Sequence, residues 1–143
     1  MKLALRTTAA NDATFPARCA ATAIKVRLVS QYCHGGIVIG NVLYHATAQH
    51  GVICTDFTPD HWVLIDLGNA NDAAALALVL PLLGAGYDWF SLLAFVIPAH
   101  ATDAQRWYCF ELCWYLMTGQ NPTFRVTPEM LLKKSIELRG GDA

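Results

Sequence analysis

The sequence predicts an α+β domain in which a small antiparallel sheet packs against helices. Three observations predict it. Ile37-Val38-Ile39 and Val42-Leu43-Tyr44 are β-rich runs joined at Gly40-Asn41. From Asn71 onward, capping residues and helix breakers alternate with apolar stretches instead. The 143 residues are 55% hydrophobic and 15% charged, which suits one domain over residues 1–143 with a real core.

A first helix is expected from Asp12 or Thr14 to about Leu28, with Pro16 tolerated only in its first turn. The hairpin follows, and its glycine-first two-residue loop signals a type II′ turn. Trp62-Val63-Leu64-Ile65 is a third strand, entered after Thr58-Pro59-Asp60. Asn71 or Asp72 caps an Ala/Leu-rich helix that stops near Gly84. Asp88 caps a short helix through Val96, ended by Pro98. Thr102-Asp103-Ala104-Gln105 matches a capping box that would open the next helix, which stops at Gly119. A start near Trp107 is the alternative. Thr127-Pro128-Glu129 begins the last helix, with proline at the favoured first position.

Composition narrows the function classes. A formal net charge of -1 gives no support for a nucleic-acid partner, which needs clustered basic charge. The few charges leave apolar surface for a protein partner. Five cysteines cannot pair completely within one chain. Arg6 cuts off the apolar start, so no secretory signal is read and synthesis in the cytoplasm with reduced thiols is expected. Ala73 to Gly86 is too short to span a bilayer and is broken by Pro81.

The chemistry-bearing residues are His34, His45 and Cys109. With Gly40-Asn41 as the turn, Ile39 faces Val42, Val38 faces Leu43 and Gly36 faces His45. Period-two alternation then places 34, 36 and 38 on one face with 43 and 45. His34 and His45 are diagonal neighbours, roughly 5–8 Å apart at Cβ, with Gly36 leaving space between them. That arrangement suits a base oriented by a second polar group. Cys109 lies in Arg106-Trp107-Tyr108-Cys109-Phe110-Glu111-Leu112. If the helix begins near Trp107, its dipole and free N–H groups favour a thiolate and could hold an oxyanion. If Thr102 is the cap, that advantage mostly vanishes.

Plainer readings stand beside these. A buried core thiol is the common fate of a cysteine such as Cys109. Cys113 lies one helical turn on, belongs to the core, and is the fallback nucleophile. A strand histidine facing solvent looks like His45. Cys33, His34, His45, Cys109 and Cys113 are zinc-competent types, but there is no CxxC pair and no finger spacing, so no metal or cofactor is expected.

The motif order resembles circularly permuted NlpC-type papain-like hydrolases. These include phage and bacterial relatives of cell-wall hydrolases and the lecithin:retinol acyltransferase-like branch. Tyr32-Cys33-His34 with Ile37-Val38-Ile39 is similar to the family's histidine strand. Val42 to Ala46, then Gly51-Val52, is similar to its second strand and following turn. Tyr87-Asp88-Trp89, Trp107-Tyr108-Cys109-Phe110-Glu111-Leu112 and Val126-Thr127-Pro128-Glu129-Met130-Leu131 resemble its later motifs in order. The resemblance covers roughly residues 14 to 137. It implies a papain-like fold with the histidine strands before the cysteine helix. It implies Cys109 as nucleophile, His34 as base and His45 as third member, and no cofactor. Tyr87 and Tyr32 become candidates for substrate or oxyanion contact. Phe110 and Cys33 depart from the family, which often has serine at both positions. The implied substrate is an amide in peptidoglycan stem peptides, with lipid or fatty-acyl transfer, or a non-catalytic phage-particle role, as alternatives.

Overall fold

Alternating apolar residues on short strands need partners on both sides to bury their backbone polar groups. The computed structural model, which describes residues 1–8, 18, 22, 25, 26, 30–68, 70–88 and 106–140, supplies them in one antiparallel sheet. Its strands are β1 (Lys2–Arg6), β2 (His34–Ile39), β3 (Val42–Thr47), β4 (Gly51–Asp56) and β5 (Trp62–Asp66), in the order β4-β3-β2-β1-β5. The β2–β3 hairpin has the expected register: Ile39 opposes Val42, Val38 opposes Leu43, and Ile37 opposes Tyr44. Gly40 has φ 61 while Asn41 stays at negative φ, as a glycine-first turn requires.

Two strands run against expectation. Lys2–Arg6 carries no strong strand signal, yet β1 lies between β2 and β5 and buries Leu3, Ala4 and Leu5 completely. Gly51-Val52, expected as a turn, instead opens β4, which pairs with β3 from Thr47–Gly51 to Val42–Asp56. Gly51 has φ 69, and a Cβ there would collide with the Ala85 carbonyl oxygen. That close approach lets the neighbouring Val52 N–H donate to Ala85 O at 2.9 Å.

Three continuous helices among the described residues pack around the sheet. α1 (Asp72–Val79) is capped by Asn71, whose Oδ1 accepts from the Ala74 N–H at 3.0 Å. A 3₁₀ turn around Pro81 then carries the chain to Gly84, at φ 87. β6 (Gly86–Tyr87) and β7 (Arg106–Trp107) pair in parallel and deliver the chain to α2 (Cys109–Thr118). α2 ends at left-handed Gly119, whose N–H donates to Tyr115 O at 2.7 Å. α3 (Pro128–Gly140) starts at the expected proline, after Thr127 accepts from the Met130 N–H at 3.4 Å.

The capping box at Thr102–Gln105 does not open α2. Those four residues lie outside the described set, and the helix begins at Cys109 with extended Tyr108 as its N-cap. Most of the helix expected over 12–28 also lies outside, although Arg18, Thr22, Lys25 and Val26 are helical. So does the helix expected after Asp88, over 89–96. No helix among the described residues is long and apolar enough to cross a membrane.

The sheet presents two unlike faces. Leu3, Leu5, Ile37, Ile39, Tyr44, Ala46 and Val52 join Phe110, Leu112, Cys113 and Leu116 of α2 in the main core. Ala4, Val38 and Leu43 point the other way, toward Phe57 and Trp62. Gly35 makes the first face fit: a Cβ there would sit 3.0 Å from Phe110 Cδ1 and 3.3 Å from Cys113 Sγ. The Phe110 ring therefore fills the space that a glycine on β2 leaves open.

Candidate active site

The hairpin register brings the two histidines together. His34 Nε2 and His45 Nδ1 are 2.9 Å apart, and the rings meet edge to face with centroids 5.2 Å apart. One nitrogen donates and the other accepts, so the bond fixes a matched pair of tautomers. Gly36 makes room for the pair: a Cβ there would lie 2.6 Å from Leu43 Cδ1 and 3.1 Å from His45 Cβ. Both rings are held neutral. Burial, then the His45 and Arg6 charges, pull His34 down to about 3. Burial, then Arg6, pulls His45 down to about 4.

The thiol is placed by α2. Cys109 is the first residue of the helix, so the short-helix alternative holds and the sulfur lies in the first turn. Glu111, three residues beyond the Tyr108 N-cap, accepts from the Tyr108 backbone N–H, as the acid of a capping box does. It is a buried, structural carboxyl pushed up to about 8 by burial first and by Asp88 next. The Tyr108 hydroxyl donates to Val126 O at 2.7 Å and accepts from the Val126 N–H at 2.8 Å, which pins the helix start to the entry of α3.

First-turn placement was expected to favour the thiolate, and here burial wins. Cys109 is 1% exposed, and its thiol is pushed up to about 12. The backbone N–H groups of Gly35, Phe110 and Cys109 itself act against that shift without overcoming it. Such amides around a sulfur are also what an oxyanion needs. Cys113 is buried as expected, and its thiol lies well above the usual range, from burial and then from Cys109.

The thiol and the imidazoles approach β2 from different sides. Gly35 faces Phe110 and Cys113, whereas Gly36 faces His45, so alternation puts His34 and His45 on the face away from α2. His34 is the first residue of β2 and bonds to His45, with no hydrogen bond to Cys109. One residue of backbone separates them, because Gly35, which contacts the sulfur, follows His34 directly.

Of the other candidates, Tyr87 is half-buried, and its phenol is raised well above the usual range by burial first and the Cys109 charge next. It therefore lies near the thiol. Tyr32 is buried in the main core, with its N–H on Ser30 Oγ at 3.2 Å. Among the described residues no three Cys, His, Asp or Glu side chains come together as a metal site.

Two residues beside the histidines had no sequence signal. Arg6 opposes His34 on one neighbouring strand and Trp62 on the other. Trp62 lies 5.7 Å from the His34 ring and 6.5 Å from the His45 ring, and the Arg6 guanidinium stacks over it at 5.5 Å. Only strand pairing across 28 residues (Arg6 to His34) and 56 residues (Arg6 to Trp62) could reveal that cluster. No protein-family model matches the chain, and no curated protein matches it significantly.

Proposed function

We propose that the chain is a thiol-dependent hydrolase of the permuted papain-like type. Cys109 is the nucleophile, His34 the base and His45 the group that orients it. The 2.9 Å bond between His34 Nε2 and His45 Nδ1 carries the reading. It occupies one nitrogen of His34 and leaves Nδ1 to take a proton, which is how a third residue sets a base in a triad. The position of Cys109 at the first residue of α2, amid backbone N–H groups, supports it.

The reaction requires the Cys109 thiol, held by its amide contacts on the α2 side of β2, to come within reach of His34 Nδ1 at the start of that strand. His34 Nδ1 takes the Cys109 proton, the sulfur attacks the substrate carbonyl carbon, and the Cys109 and Phe110 N–H groups receive the oxyanion. The leaving amine takes the proton back from His34, leaving a thioester. Water, deprotonated by His34, then releases the acid. The motif resemblance points to amides of peptidoglycan stem peptides as substrate, and the apolar composition keeps fatty-acyl substrates as the rival within the class.

Turnover of cell-wall fragments and of fatty-acyl esters tests the reading, with Cys109→Ala and His34→Ala as controls. Cleavage should fall to background in Cys109→Ala and by about 10²–10⁴-fold in His34→Ala. Full activity in Cys109→Ala would sink the mechanism. The buried, high-pKa thiol favours one second reading: a domain that keeps the fold for binding, in which neither substrate is turned over.

A further inference from the structure

The imidazole pair carries more than a base and its support. Two polar atoms beside it, Arg6 Nε and His45 Nε2, are shielded from solvent and have no hydrogen-bond partner. Buried polar groups in folded proteins nearly always have partners. Two orphans on one sheet face, in residues that both flank Trp62, therefore need an explanation. Arg6, His34, His45 and Trp62 are each half-buried, so the cluster reaches the surface even though these two atoms do not.

Arg6 forms no ion pair with a described carboxylate. Trp62 lies against its guanidinium, whose Nε–H has no hydrogen-bond partner. A guanidinium edge matches a carboxylate in shape and charge.

The tautomers add a second constraint. For His34 to accept a proton at Nδ1, its Nε2 must carry hydrogen and donate to His45 Nδ1. His45 must then carry its own proton on Nε2, the orphaned atom. An acceptor placed there satisfies His45 and holds His34 in the form a base needs. We infer that Arg6 Nε–H and His45 Nε2–H form a carboxylate subsite, and that a carboxylate bound there sets His34 ready to take a proton. The second half rests on His34 as the base proposed above; the subsite itself does not. One guanidinium charge fits a monoanion, such as the terminal carboxylate of a short peptide substrate.

Nuclear magnetic resonance of the full chain with ¹⁵N-labelled histidine rings, at pH 7, tests this directly. The probes are acetate, N-acetylalanine and uncharged N-acetylalanine amide. Acetate should saturably protonate His45 Nε2 and strip His34 Nδ1, and the amide should do neither. Tighter binding of N-acetylalanine than of acetate would assign the site to a peptide carboxylate, and equal binding to the carboxylate group alone. Arg6→Gln should raise the acetate midpoint at least 10-fold with the His34–His45 coupling intact, and Arg6→Lys, which keeps the charge but lacks Nε–H, should weaken it too. No saturable change with either carboxylate, the same change with the amide, or an unaltered midpoint in both Arg6 variants would overturn the subsite. Cys109→Ala should bind acetate as the parent does, so a chain that hydrolyses nothing still answers the question.

Discussion

On one face of the sheet, α2 lays Phe110 and Cys113 against Gly35 in a closed, mainly apolar core, with the Glu111 carboxyl buried at the start of the helix. On the other face, His34 and His45 of the hairpin form a half-buried polar cluster with Arg6 of β1 and Trp62 of β5. β2 serves both, since alternate residues of one strand point in opposite directions. The difference is one of tolerance. The α2 face is fixed by close packing, in which every methylene counts. The histidine face is fixed by a hydrogen bond, with two polar nitrogens still unmatched.

The packed face is the one to break hardest. Phe110 is fully buried and stands edge-on to Tyr108, with ring centroids 6.3 Å apart. Phe110→Ala leaves a cavity against glycine, which cannot fill it, so the loss should be about 3–5 kcal/mol. Urea unfolding measures this, and a loss below about 1 kcal/mol would mean that Gly35 and Phe110 do not pack as described. The histidine face is broken more gently. Gly36→Ala drives a methyl against Leu43 and His45 and should cost about 1–3 kcal/mol. It should also part the two rings, which histidine ring ¹⁵N spectra would register as loss of the His34–His45 coupling. Unchanged spectra would show that the pair does not depend on that space.

How far each face was legible in the sequence follows from range. Gly40-Asn41 and its flanking alternation are local, so the hairpin and the His34–His45 pairing could be read from them. β1 could not: Lys2-Leu3-Ala4-Leu5-Arg6 becomes a strand because β2 and β5 hold it from both sides. Thus the histidines were legible and their neighbour Arg6 was not. The start of α2 was obscured for another reason. Its N-cap, Tyr108, has no side-chain capping bond, so none of the usual Ser, Thr, Asp or Asn signals marks it. The better-looking pattern at Thr102–Gln105 would draw the boundary six residues early, and Glu111 was the one local sign of the true start.

The smallest expected effect sets the two faces against each other through pH. His34 and His45 are held neutral, at about 3 and about 4, far below the 6.5 of a free imidazole. As pH falls below 6.5 the unfolded chain takes up two protons that the folded one refuses, so stability drops. Glu111 behaves oppositely. Its folded carboxyl keeps a proton up to about 8 against 4.5 when free, so stability drops as pH rises between those values. From pH 4.5 to 6.5 the two histidines outweigh the one glutamate by about one proton, a gain of about 1.4 kcal/mol per pH unit. From 6.5 to 8 only Glu111 still acts, and the slope changes sign. Stability should therefore peak near pH 6.5, which thermal melts across pH 4.5–8 would show. Glu111→Gln keeps the acceptor for the Tyr108 N–H; it should flatten the upper limb and steepen the lower one to about 2.7 kcal/mol per pH unit. His45→Gln should flatten the lower limb alone. An upper limb moved by His45→Gln, or a lower limb that Glu111→Gln failed to steepen, would mean that the two faces are not energetically separate, and that the sheet couples the thiol side to the imidazole side even at rest.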